Sequence, residues 1–245
     1  MRFGIGHDGQ GDIQAVTIKA VIFDKDGTLF DFRQSWGGWT KALIAAMGPY
    51  SKDDLGPVLG FDAVAMTFKP DSAVIAATMY EIADLIHPHL NGMTLKSLQN
   101  MMDTLGAQAL MTPAVDLPKV LSGLKSRGLR LGLATNDTEI PARAHLSAAG
   151  VIDLFDFIAG CDSGYGGKPA PGQLLAFAAQ INLEPAEIAM VGDSLHDLDA
   201  ARAAGMKAVG VLTGPALRET LAPHADVVLS TIGDLGDWID GLNRA

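Results

Sequence analysis

The chain has 245 residues, 48% of them hydrophobic and 19% charged, with a formal net charge of −10 at pH 7. The apolar share is large enough for a substantial core and excludes a disordered chain. A protein this acidic is a poor general binder of nucleic acid or of an anionic membrane, because both carry phosphate charge, so neither is expected as a partner.

In chain order, residues 1–17 are polar and glycine-rich and lack the apolar stretch of a secretory signal. They are read as a loosely held extension in which His7 and Asp8 are solvated and idle. The apolar run Ala20–Phe23 reads as a buried strand that leads straight into Asp24-Lys25-Asp26-Gly27-Thr28. Residues 33–113 then show helical stretches, SWGGWTKALIAAMG, SAVIAATMYEIADLI and LKSLQNMMDTLGA, and few strands. The segment GFDAVAMTFKPDS is either a short hairpin or an irregular loop. From residue 117 the chain alternates. LPKVLSGLKSRG, EIPARAHLSAAG, PGQLLAFAAQINL, SLHDLDAARAAG, PALRETLAPHA and LGDWIDGL read as helices, several closed by glycine. LRLGLAT, FDFIAG, EIAMVGD, KAVGVLT and DVVLS read as strands, apolar on both faces as buried parallel strands are.

This alternation predicts an α/β fold: a Rossmann-like parallel sheet core with helices on both faces and a helical cap inserted after the first core strand. The expected division is an extension at 1–17, a core from 18–32 and 114–245, and a cap at 33–113. No apolar run approaches the roughly 20 residues of a membrane-spanning helix. The single cysteine, Cys161, allows no intrachain disulfide and fits a cytoplasmic protein. It is expected to be a buried spectator.

In an open parallel sheet, ligands sit beyond the carboxyl ends of the strands. Asp24 lies at such an end. Asp26 follows two residues later, so both carboxylates can face one space, and Gly27 permits the tight turn. Adjacent carboxylates resist ionising together unless a cation sits nearby, which suits a nucleophile beside a general acid/base with a divalent metal. The other strand ends are also polar. Thr135 and Asn136 end the second core strand, Lys168 lies in a Gly/Pro loop after the third, and Asp193 and Asp197 follow the fourth. Stability alone gives no reason for polar groups at all four ends.

Four motifs in this order, D-x-D-G-T at Asp24–Thr28, Thr135, Lys168 and G-D-x-x-x-D at Gly192–Asp197, resemble the haloacid dehalogenase-like superfamily of hydrolases in its phosphatase branch. The stretch GDSLHDLDAARAAG resembles the phosphoglycolate phosphatase-like subgroup. The resemblance implies a Mg²⁺-dependent phosphatase acting on a small-molecule phosphate monoester, phosphoglycolate-like or a sugar phosphate, and working as a monomer or homodimer. It makes Asp24 the nucleophile that becomes an aspartyl phosphate and Asp26 the acid/base. Lys168, the Thr135 hydroxyl and backbone N–H groups near Lys25 and Asn136 would bind the phosphoryl oxygens. The Asp24 side chain, the Asp26 carbonyl and Asp193 would hold the metal. Asp197 would ligate through water or orient Lys168.

Lys25 occupies the variable position of its motif, so its side chain is expected to be idle. Thr28 is expected to brace the loop, and His196 to sit solvated on a helix surface. Trp36 and Trp39, spaced to share a helix face, are expected to pack the insertion, and Arg33 is read as an ordinary exposed arginine. A dehalogenase would have no need of Asp26. A sugar phosphomutase uses the same acids and remains an alternative. So does a non-catalytic regulatory protein on this fold, although such a protein would be free to lose an acid or the lysine.

Overall fold

The computed structural model describes residues 17–244, so His7, Asp8 and nearly all of the predicted extension lie outside the described residues. The chain opens with strand β1, Ala20–Phe23, whose four residues are all buried. Helix α1, Phe32–Met47, begins at once because the Asp31 carboxylate accepts from the Gln34 N–H at 2.9 Å. There follow α2 (Leu55–Leu59), β2 (Phe61–Asp62), β3 (Thr67–Phe68), α3 (Met79–Ile86) and α4 (Leu95–Ala107). The alternating part then runs α5 (Leu117–Ser126), β4 (Arg130–Ala134), α6 (Glu139–Ala148), β5 (Phe157–Ala159), α7 (Gly172–Ile181) and β6 (Ile188–Gly192). It closes with α8 (Leu195–Ala204), β7 (Lys207–Val211), α9 (Arg218–Leu221), β8 (Val227–Leu229) and α10 (Leu235–Leu242).

Six strands form one sheet in the order β5-β4-β1-β6-β7-β8, and every pairing is parallel. The chain builds outward from β1 to β5 on one side and then from β6 to β8 on the other. The strand order therefore reverses at β1, and the crevice beyond its carboxyl end is where such a sheet binds ligands. Successive strand residues point to opposite faces. Val21, Phe23, Leu131, Leu133 and Val191 join Leu121, Leu146 and Ile239 in one apolar layer. Ala20, Ile22 and Met190 join Phe177 and Leu198 in the other. Burial on both faces explains why these strands read as continuous apolar runs.

The segment between β1 and α5 builds a third apolar cluster, with Trp36, Trp39, Leu43, Leu59, Ile82, Leu98 and Met102 among its members. Trp36 and Trp39 meet edge-to-face at 4.6 Å between centroids, as their shared helix face predicts. The two connections into and out of this segment run side by side. Asp31 N–H donates to the Thr112 carbonyl at 2.8 Å and Ala114 N–H to the Leu29 carbonyl at 2.9 Å. Cys161, just past β5, is buried in the same cluster.

Three local readings are refined. The stretch Ser72–Ile86 is not one helix. The Thr78 hydroxyl accepts from the Glu81 N–H, and the Glu81 carboxylate accepts from the Thr78 N–H at 2.7 Å. That reciprocal cap starts α3 at Met79 and leaves a single 3₁₀ turn, Ala73–Ile75, before it. The segment GFDAVAMTFKPDS is a hairpin, with Phe61–Asp62 antiparallel to Thr67–Phe68. The stretch 215–225 is helical over only Arg218–Leu221, between prolines at 215 and 223 that restrict the flanking backbone. Among the described residues, no helix is long and apolar enough to cross a membrane.

Candidate active site

Asp24 follows β1, and its N–H still pairs with the Val191 carbonyl of β6 at 2.8 Å. The chain then folds back on itself. The Lys25 carbonyl accepts from the Leu29 and Phe30 N–H groups, and Gly27 adopts φ +86°. A side chain at Gly27 would be disfavoured by that φ and would also overlap the Asp193 carboxylate. Gly214, in the loop after β7, closes over the same carboxylate from another side, and a Cβ there would overlap it as well.

The four strand ends meet as the sequence predicts. Asp24, Asp26, Thr135, Asn136, Lys168, Asp193 and Asp197 all line one cavity. Lys168 Nζ donates to Asp24 Oδ1 and to Asp197 Oδ1, both at 2.6 Å. Oxygens of Asp24, Asp193 and Asp197 lie within 4.8 Å of one another. Three carboxylates against one ammonium leave two negative charges uncompensated in a buried place. The Asp24 carboxyl is accordingly pushed up to about 7, first by burial and against the pull of Lys168. Asp193 is raised well above the usual carboxylate range by burial and by the charges of Asp24 and Asp197. Lys168 is raised because Asp197 and Asp24 outweigh its burial. A compact oxygen-donor set short of two positive charges fits a hard divalent cation.

Asn136 faces the cavity but spends its side chain on the scaffold. Its Nδ2 donates to the Ala76 and Lys168 carbonyls at 2.9 and 3.0 Å, and its Oδ1 accepts from the Lys168 N–H at 2.8 Å. Asp197 is similarly engaged, since its second oxygen accepts from the Ser194 hydroxyl at 2.7 Å. The Thr28 side chain is buried, away from the cavity lining.

Two expectations need correction. The Lys25 side chain is not idle. It is fully buried, with Nζ 2.8 and 3.0 Å from the two Asp26 oxygens, 3.0 Å from Asp137 Oδ2 and 3.1 Å from His145 Nδ1. His196 is not solvated on a helix surface. It is half-buried, lines the cavity, and meets the Ala76 carbonyl through Nδ1 at 3.2 Å. Arg33, by contrast, is exposed, and lines a neighbouring groove with Phe32, Met66 and Phe68. Trp36 both packs the insertion and lines the cavity. The Cys161 thiol is pushed up to about 12, chiefly by burial, in keeping with an inert spectator.

Sequence reasoning missed Asp137 and His145. Asp137 is buried, and its carboxyl is raised to about 6, by burial above all and against the pull of Lys25. His145 is pushed down to about 4 by burial and by the Lys25 charge. Because an ammonium can only donate, His145 Nδ1 is the acceptor and Nε2–H donates to the Gly106 carbonyl at 2.8 Å. The only sequence signal was Asp137 following Thr135 and Asn136. Nothing local marks His145.

The haloacid dehalogenase-like hydrolase family matches over residues 18–205. The chain is 32% identical over 238 residues to phosphoglycolate phosphatase of Rhodospirillum rubrum, with 90% of each chain covered. It is 26% identical to N-acetylmuramic acid 6-phosphate phosphatase of Pseudomonas aeruginosa, covering 93% of this chain and 97% of the other. A crystal structure of a predicted phosphoglycolate phosphatase from Haemophilus somnus superposes with a TM-score of 0.70 at 19% identity, covering 90% of this chain and 97% of that one, which shows the shared fold. The chain belongs to the haloacid dehalogenase-like hydrolases, in their phosphatase branch.

Proposed function

We propose that this phosphatase hydrolyses a small phosphate monoester through an aspartyl phosphate on Asp24, with Mg²⁺ as its resident cation. The observation that carries this reading is the convergence of Asp24, Lys168, Asp193 and Asp197 on one buried cavity with two negative charges uncompensated. Asp24, the Asp26 carbonyl and Asp193 would hold the cation. Asp197, with one oxygen on Lys168 and the other on Ser194, would orient the lysine. Bound there, Mg²⁺ would supply positive charge that offsets the repulsion between a dianionic phosphate and a carboxylate nucleophile.

An Asp24 oxygen attacks phosphorus as the bond to the leaving oxygen breaks, and Asp26 gives that oxygen a proton. Asp26 then takes a proton from water as the water attacks phosphorus. The bond to Asp24 breaks and inorganic phosphate leaves. Lys168 and the Thr135 hydroxyl stabilise the phosphoryl oxygens, with backbone N–H groups near Lys25 and Asn136. Residues 33–113 act as a cap over the core formed by 18–32 and 114–245, excluding water during the reaction.

Relatives named for phosphoglycolate and for N-acetylmuramic acid 6-phosphate set the range of substrates: a small acid phosphate or a sugar phosphate. The cavity wall drawn from the segment after β1 includes Phe32, Trp36, Val74, Ile75, Met79 and Ile82, none of them charged. That wall offers no cation to a substrate carboxylate and so disfavours a carboxylate-bearing leaving group. Phosphate release should stop in excess chelator, return with Mg²⁺ and be absent in Asp24→Asn. A panel of esters should then rank sugar phosphates above phosphoglycolate. Full turnover in chelator, with no metal retained, contradicts the site. The reverse ranking contradicts only the substrate preference.

A further inference from the structure

Burying an ammonium costs several kcal/mol unless its charge and all three donors are satisfied, and apolar residues of similar size are usually as stabilising or more so. Lys25 nonetheless sits fully buried one residue from Asp24. Its ammonium donates to the Asp26 carboxylate and to His145 Nδ1, and Asp137 Oδ2 lies 3.0 Å away as a buried ion-pair partner. The Trp36 ring lies 5.6 Å beneath it, within cation–π range. Each active-site lysine thus serves a different aspartate of the first motif. Lys168 holds Asp24, and Lys25 holds Asp26 by both oxygens.

Lys25's seat spans the junction between insertion and core. Trp36 belongs to α1, and His145, on α6, bonds the Gly106 carbonyl of α4. The neighbouring Thr138 hydroxyl donates to Asp103 of α4 at 2.6 Å. A lysine in the open would swing freely. Here its direction is fixed from three sides, and the Asp26 side chain, slightly exposed toward the cavity, inherits that direction.

We propose that Lys25 is a positioning residue for Asp26: its buried ammonium, seated on Asp137, His145 and Trp36, holds the Asp26 carboxylate in the direction from which it exchanges a proton, and ties that direction to the seating of α1 and α4. This rests on the reading of Asp26 as the acid/base. Lys25 itself touches neither substrate nor reacting atoms.

A double-mutant cycle between Lys25→Met and Asp26→Asn tests this, with p-nitrophenyl phosphate and an alkyl phosphate as substrates. General acid/base catalysis is worth about 10²- to 10⁴-fold, so a misdirected Asp26 should cost the alkyl ester about 10- to 100-fold in kcat. KM and the Mg²⁺ half-saturation should hold within about twofold, the scatter expected of uncoupled changes. Phosphorylation by p-nitrophenyl phosphate, whose leaving group needs little protonation, should be largely spared. In the Asp26→Asn background, Lys25→Met should cost no more than about twofold further. If Lys25→Met does not fold, Lys25→Met/Asp137→Asn removes the orphaned buried charge and carries the same cycle. Equal cost in both backgrounds, or an equal loss in the phosphorylation step with both esters, overturns the positioning role. So does wild-type activity of the folded Lys25 variant while Asp26→Asn is impaired. If Asp26→Asn alone matches the wild type on both esters, the acid/base reading fails first and takes this inference with it.

Discussion

Lys168 Nζ lies 2.6 Å from Asp24 Oδ1, yet the Asp24 carboxyl is still pushed up to about 7. One ammonium shared with Asp197 does not offset burial among three acids. Burial thus disfavours the ionised form of both Asp24 and Asp193, and a divalent cation bound there would favour it, since a metal binds the ionised carboxylate.

Mg²⁺ binding is accordingly expected to release protons at neutral pH. Its apparent affinity should weaken as pH falls from 8 to 6, by about tenfold per pH unit for each proton displaced. Calorimetric titration in buffers of different ionisation enthalpy reads the proton count directly. A count of zero at pH 7 would contradict the electrostatic description of the site.

Gly214 has no motif to mark it, but its backbone closes over Asp193 so tightly that a methyl group has no room. Moving a ligand's surroundings typically costs about 10- to 100-fold in metal affinity. Gly214→Ala should raise the Mg²⁺ half-saturation by about that factor and also lower the melting temperature, because the Asp193 side chain it would displace is buried. Magnesium titration of activity, paired with a thermal melt, checks both halves.

His145 is held neutral, at about 4 in the folded protein against an ordinary 6.5. Between those values the unfolded chain binds the proton that the folded protein refuses. The stability His145 contributes is therefore present above pH 6.5 and is lost as pH falls toward 4, on the order of 3 kcal/mol at full titration. His145→Gln keeps an acceptor for Lys25 but has no such proton. The melting-temperature gap between wild type and this variant should shrink between pH 7.5 and 4.5. A constant gap would mean His145 is not buried as described.

Much of this was legible locally. Apolar runs gave the six core strands, because both faces of a parallel sheet are buried, and the polar residues at their ends marked the cavity. The Thr78–Glu81 cap was also readable as a T-x-x-E pattern before an apolar run, and it outweighs the apolar spacing that suggested one long helix. Lys25 was not legible. Its motif position is variable, and one of its partners, His145, lies 120 residues away, so only the folded chain shows why a cation is buried there. Gly214 was hidden for the same reason: a loop glycine is ordinary until the carboxylate behind it is seen.

Asp24 and Asp26 are proposed to do different work, one forming the phosphoenzyme and the other moving protons. Rapid mixing of Asp26→Asn, with saturating Mg²⁺, against p-nitrophenyl phosphate tests it most directly. Nitrophenolate leaves without a proton, so the phosphoryl group should still reach Asp24. Hydrolysis of that acyl phosphate lacks its base and should lag by about 10²- to 10⁴-fold. The expected result is a burst of nitrophenolate close to one per active site, then slow turnover, and no comparable burst with an alkyl phosphate. Wild-type turnover of both esters by the metal-loaded variant would contradict it.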